Sequence, residues 1–211
     1  MSNKGNLIII SAPSGSGKST LASGLFRQTK GVVFSVSHTT RKPRGGEKEG
    51  EDYFFVSDEN QFQNMIKEEA FLEYAHVYGN YYGTSRHFVE SMLVSGNDVL
   101  LDIDVQGALK VKDLKPEALM VFVLPPSYQE LEKRLINRGL DDPEVISRRL
   151  KIARDEIKEY KKYDYVIINN DLEQSIEDLK QIVLSARDSE KCKAGHSWKE
   201  AESVVATFLE K

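Results

Sequence analysis

The chain has 211 residues, 40% of them hydrophobic and 29% charged, with a formal net charge of −4. That length suits one domain with a sizeable core, and the acidic balance argues against a general nucleic-acid binder, whose footprint is basic. A lone cysteine, Cys192, excludes an intramolecular disulfide and fits a reducing compartment. No apolar run approaches the roughly 20 residues of a membrane span, so the expectation is a soluble, cytoplasmic chain with neither membrane nor nucleic-acid partners.

Leu7–Ile10 is a short apolar run that reads as a buried strand. Ser11-Ala-Pro-Ser-Gly-Ser-Gly-Lys18-Ser19-Thr20 follows, and the apolar spacing of Leu21, Leu25 and Phe26 predicts a helix behind it. Strand, Gly-rich turn and helix form the context of a phosphate-binding loop. Gly15 and Gly17 let backbone N–H groups approach phosphate oxygens, and the helix N-terminus adds its positive end. Pro13, Ser14, Gly15, Ser16, Gly17, Lys18, Ser19 and Thr20 are therefore the candidate ATP-binding residues. Lys18 would reach the β- and γ-phosphates, and Ser19 is the expected Mg²⁺ ligand. The usual G-x-x-x-x-G-K-[ST] pattern has Ala12 at its first position here, a departure of one methyl group.

Val32–Val36 predicts a second strand, and 38–50 reads as a polar loop in which Arg41 and Arg44 could clamp an anion or simply be solvated. Residues 52–56 predict a strand and Asp58 caps a helix through Ile66. Residues 71–78 and 81–84 flank Gly79-Asn80 as a hairpin, followed by a helix over 85–95. Asn97–Asp104 predicts a strand ending in carboxylates, and Asp104-Val-Gln-Gly107 is a weak D-x-x-G match without the base-reading element of a switch GTPase. Ala118–Leu124 predicts a strand, 127–136 and 144–161 helices, Tyr165–Ile168 the last strand and 172–187 a closing helix. Trp198, Ala201, Val204, Val205, Phe208 and Leu209 recur at helical spacing, so the tail would pack on the body or on a neighbouring subunit, which leaves a homo-oligomer open. The four histidines lack ligand spacing and read as structural. Alternation of strands and helices around the loop implies an α/β fold with an open parallel sheet covered on both faces.

Together these motifs resemble the guanylate kinases over residues 6–187: the loop, Ser35-Val-Ser37-His-Thr-Thr-Arg41-Lys-Pro-Arg44, Gly50-Glu-Asp-Tyr53, Phe71-Leu-Glu73, Tyr78–Thr84, Leu101–Gly107, Arg134–Gly139, Arg148–Leu150 and Ile167–Asp171. The resemblance implies a P-loop core (5–37, 85–126 and 162–187), a partly β nucleoside-monophosphate lobe (38–84) and a helical lid (127–161), with 188–211 outside it. It implies Mg²⁺-dependent transfer of the γ-phosphoryl of ATP to GMP. Arg41, Arg44, Tyr53 and Tyr82 would hold the GMP phosphate, and Ser37, Glu73, Thr84 and Asp104 would face guanine. Asp102 would lie near metal and nucleotide, Arg138 and Arg149 would act with Lys18 and Arg44 on the transferred group, and Asn169 would sit beside adenine. Glu73 could equally be an outward-facing strand residue. Two rivals remain: a guanylate-kinase-like protein-binding module, which typically lacks an intact P-loop, and a same-fold kinase for another phosphorylated acceptor.

Overall fold

The apolar runs of the sequence become strands wherever both their faces can be covered, and the amphipathic stretches become the covering helices. The computed structural model describes residues 4–77, 79–137, 142–188, 192 and 194–209. Its elements run β1 (Leu7–Ser11), α1 (Lys18–Gln28), β2 (Val32–Phe34), β3 (His38–Thr39), β4 (Phe54–Phe55), α2 (Glu59–Lys67), β5 (Phe71–Val77), β6 (Asn80–Ser85) and α3 (Arg86–Val94). They continue with β7 (Asp98–Asp102), α4 (Val105–Leu114), β8 (Leu119–Leu124), α5 (Tyr128–Asn137), α6 (Pro143–Ile157), β9 (Tyr165–Ile168), α7 (Leu172–Arg187) and α8 (Trp198–Leu209). A five-stranded sheet has the order β2-β7-β1-β8-β9, with parallel β2–β7, β1–β8 and β8–β9 pairs. A four-stranded sheet has the order β4-β3-β6-β5.

The chain divides into two compact units, the first of Met1–Leu7, Gly31–Leu101 and Gln106–Ala118, the second of Ile8–Lys30, Asp102–Val105 and Leu119–Lys211. In the first, the small sheet closes over Val56, Phe62 and Phe71, with Met65, Ile66 and Tyr81 packed against them. The Phe62 ring stacks on Phe71 at 4.6 Å and on Tyr81 at 5.3 Å. Gly83 is needed there, because a Cβ would stand 2.7 Å from the Phe71 ring. Asp58 caps α2 by accepting from the Asn60 N–H, as its spacing predicts.

In the second unit Ile8, Ile9, Ile10, Val121, Phe122, Val123 and Leu124 are fully buried. Helix α1 packs on α7 so closely that Ile176 Cδ1 lies 2.2 Å from where a Gly24 Cβ would be. Helix α8 packs on this body: Phe208 is buried edge-to-face against Tyr128, and the Tyr128 N–H donates to Thr207 Oγ1 at 3.0 Å. Among the described residues no helix is long and apolar enough to cross a membrane.

Several boundaries differ from the sequence expectation. Strand β2 stops at Phe34 rather than Val36, and β4 keeps only Phe54–Phe55, because Glu51 and Asp52 donate their N–H groups back to Lys48 O in a turn. The stretch read as a loop from residue 38 opens with β3, which pairs with both β4 and β6. Strand β7 ends at Asp102, so Asp104 falls in the link to α4. Helix α4 itself was not anticipated, although Val105, Ala108 and Val111 are buried at helical spacing. Helix α6 ends at Ile157 and tightens into a 3-10 turn over Lys158–Lys162. The histidines are structural where contacts are given: His38 stacks on Phe54, His76 meets Tyr81, and His196 Nδ1 accepts from the Ile168 N–H.

Candidate active site

The loop between β1 and α1 is shaped by a few bonds. The Ser16 N–H donates to Pro13 O at 3.1 Å, and Gly17 takes a φ of 89°, a left-handed conformation open to glycine, before α1 begins at Lys18. Asn169, at the C-terminal end of β9 and 5% exposed, donates its Nδ2 to Ser16 O at 2.7 Å. A Cβ on Gly17 would stand 2.4 Å from that amide. From the other side Leu131 and Leu135 of α5 approach to 3.0 Å of a Cβ built on Gly15. Arg134, also on α5, donates to Asn169 O at 3.0 Å and to Glu130 Oε1 at 3.1 Å. The loop is thus wedged between α5 and the end of β9, with Pro13 and Ser16 buried and Ser14, Ser19 and Thr20 exposed.

Lys18 forms an ion pair with Asp102 and donates from Nζ to Ile103 O at 3.3 Å. The Ser19 hydroxyl donates to Asp102 Oδ2 at 3.4 Å. Two hard oxygen ligands so placed suit Mg²⁺, which characteristically takes one or two protein oxygens and completes its shell with water and substrate phosphate. Among the described residues no group of three or more His, Cys, Asp or Glu is arranged to cage a metal. Burial, then the nearby Asp104 carboxylate, push the Glu156 carboxyl of α6 up to about 7, against the pull of Lys18. Arg149 lies half-buried on α6 and Arg148 is exposed. Arg138 falls outside the described residues.

The other expected substrate residues lie in the first unit. Glu73 on β5 pairs with Thr84 on β6, and a register irregularity between Phe71 and Glu73 interrupts the pleat. Phe71, Leu72 and Glu73 are consequently buried in succession. Glu73 is 8% exposed, which excludes the outward-facing alternative, and accepts from the Thr84 hydroxyl at 2.7 Å. Arg41, Tyr53 and Tyr82 also come together: the Arg41 guanidinium lies 5.1 Å from the Tyr53 ring centre, and the two tyrosine rings meet edge-on at 6.0 Å. Ser37, immediately before β3, is half-buried and accepts the Phe54 N–H at its carbonyl. Arg44 is exposed.

Three residues with conspicuous contacts carried no expected role. Glu47 binds Arg41 through both carboxylate oxygens. Glu156 stands near Asp104 and Lys18, and Arg134 braces Asn169. Arg134 opens the Arg134–Gly139 stretch of the resemblance, but nothing in the sequence marks its contact with Asn169 or that of Glu47 with Arg41.

The family model described as guanylate kinase matches residues 4–186. The chain is 54% identical over 188 residues to the guanylate kinase of Shewanella denitrificans, covering 89% of this chain and 90% of that protein. It is 53% identical over 184 residues to the guanylate kinase of Neisseria meningitidis serogroup A, covering 87% and 89%. Among solved structures, the guanylate kinase of Anaplasma phagocytophilum superposes with a TM-score of 0.73 at 35% identity, covering 90% of this chain and 89% of that one.

Proposed function

The chain belongs to the guanylate kinase family and is an ATP:GMP phosphotransferase, and from that premise we propose how its residues divide the work. The observation that carries the proposal is Lys18, fixed at the start of α1 by Asp102 and Ile103 O, beside the Ser19 hydroxyl. Loop N–H groups and Lys18 receive the β- and γ-phosphates of ATP, with Asn169 holding the loop in shape through Ser16 O. Ser19 and Asp102 would hold Mg²⁺, which supplies charge neutralisation on the phosphates when bound. Arg41, Arg44, Tyr53 and Tyr82 take the acceptor phosphate, and Glu73 with Thr84 takes guanine; Ser37 and Asp104 extend that base-facing set. Arg149, with Arg138, supplies charge to the transferred group.

No general base enters this scheme. The acceptor's phosphate oxygen is already a nucleophile at neutral pH, so the protein's task is to align two polyanions and neutralise the migrating charge. An arginine-bearing lid segment over residues 127–161 adds water exclusion, because a site open to water would lose the phosphoryl group to hydrolysis.

The test is a coupled assay of ADP release with GMP, dGMP, AMP, UMP and ribose phosphates, run on wild type and Lys18→Ala. Strong preference for the guanine monophosphates, and a drop of about 10²-fold or more in kcat for the variant at an unchanged melting temperature, are expected. Wild-type turnover by Lys18→Ala would remove this loop from the ATP site.

A further inference from the structure

One of the cations assigned to the acceptor phosphate, Arg41, is already engaged by an anion of the chain itself. Arg41 Nη2 donates to Glu47 Oε1 at 2.8 Å and Oε2 at 3.0 Å. The Arg44 N–H donates to the same Oε2 at 2.8 Å, and the Glu47 N–H closes the turn onto Arg44 O at 3.1 Å. Arg41 Nη1 donates to Lys42 O at 2.9 Å. Glu47 therefore sits in a small anion cradle made of one guanidinium group and one backbone N–H.

The shape of a guanidinium decides what this means. It offers two parallel N–H groups along only two edges, Nη1–Nη2 and Nε–Nη2, since Cδ closes the third. Both edges include Nη2, the atom Glu47 holds. Each edge uses a different Nη2 hydrogen, but both Glu47 oxygens lie within hydrogen-bond reach of Nη2 and Lys42 O takes Nη1, so a phosphate monoester competes with the carboxylate and with that carbonyl for a two-point grip on Arg41. The Arg41 side chain is only 12% exposed and Tyr53 covers one face of its guanidinium, so the cation has little freedom to turn a fresh edge outward. Glu47 can move more readily: its side chain is 21% exposed and it follows Gly45 and Gly46, where a Cβ would meet nothing within 4 Å.

We infer that Glu47 is a built-in competitor for the monophosphate site, which the acceptor's phosphate enters by displacing the carboxylate from Arg41 Nη2 and the Arg44 N–H. The inference rests on the reading that Arg41 and Arg44 receive that phosphate. No covalent bond changes; one anion replaces another. The hydrogen bond from Arg41 holds the Glu47 carboxyl below the usual carboxylate range, so the competitor is ionised at neutral pH. A singly charged anion offers Arg41 little that Glu47 does not, whereas a phosphate dianion brings more charge and a third oxygen. The seat thus selects for dianionic phosphate, and the apparent affinity falls by the fraction of sites that Glu47 leaves open.

Glu47→Gln keeps an oxygen for the Arg44 N–H and removes the competing charge; Glu47→Ala removes the side chain. Calorimetric titration should show GMP bound about two- to tenfold more tightly by both variants. Guanosine, which lacks the phosphate, should bind as it does to wild type. Weaker GMP binding by a Gln variant that melts like wild type would overturn the inference, because Glu47 would then be positioning Arg41 instead of opposing the ligand. Unchanged GMP binding would overturn it equally. Arg41→Ala separates the two levels. If it leaves GMP affinity intact, the phosphate-site reading itself fails; if it weakens GMP while the Glu47 variants gain nothing, only the competitor is lost.

Discussion

The Thr84 hydroxyl donates a 2.7 Å hydrogen bond to the Glu73 carboxylate from the facing strand, and the two residues are 1% and 8% exposed. A carboxylate is costly to bury without partners, and the Thr84 hydroxyl supplies one of them from the facing strand. Guanine presents N1–H and an N2 amino group side by side, a donor pair that suits such a carboxylate, whereas adenine presents a bare N1 acceptor. Glu73→Gln keeps the volume and can still accept from Thr84, but one end of the amide now donates. Its kcat/KM for GMP should fall about 10²-fold, the loss of one charged hydrogen bond, with a much smaller change for AMP. An unaltered GMP/AMP ratio would take Glu73 out of base selection.

Asn169 gives a second test, because its contact discriminates between holding the loop and holding a base. The amide donates to a buried carbonyl, Ser16 O, and removal of the donor leaves that oxygen unsatisfied. Asn169→Ala should cost about 1–3 kcal/mol in urea unfolding and raise the KM for ATP. Asn169→Asp should be worse than Ala, since an ionised carboxylate cannot donate and would face the carbonyl in a site that is 5% exposed. If both variants unfold like wild type, Asn169 does not brace the loop.

Elements with a strong period were legible in the sequence. Leu7–Ile10, Ala118–Leu124 and Tyr165–Ile168 each fall within a residue or so of a strand, and the closing helix was read with its observed bounds. The features that a period does not reveal have separate physical causes. Alternation leaves the facing of Glu73 open, because the irregularity beside it breaks the period of two. Helix α4 begins inside the Asp104-Val-Gln-Gly107 stretch, whose glycine reads as a turn, although Val105, Ala108 and Val111 mark its buried face. Composition has no signal for Glu47 turning back onto Arg41, since that contact depends on the turn formed by residues 44–47. The bond from Asn169 to Ser16 O spans 153 positions and has no local trace.

Glu156 supplies a pH dependence whose sign follows from its surroundings. Burial first, and Asp104 second, raise its carboxyl from 4.5 to about 7 in the folded protein, with Lys18 opposing them. Between those values the folded protein keeps a proton that the unfolded chain has released, so the native state binds more protons there. Stability from this group is therefore fully present below about pH 4.5 and is lost as pH rises through about 7. The full shift corresponds to about 3 kcal/mol, and the coupling to Asp104 and Lys18 brings the expected loss to about 1–3 kcal/mol. Glu156→Gln has the shape of the protonated acid and cannot ionise. In nucleotide-free protein, urea unfolding of wild type and variant should agree near pH 4.5. The variant should be the more stable by about 1–3 kcal/mol at pH 8, where the wild-type carboxylate carries its charge next to Asp104. A gap between the two proteins that stays constant from pH 4.5 to 8 would mean that the side chain acts through packing and not through its charge.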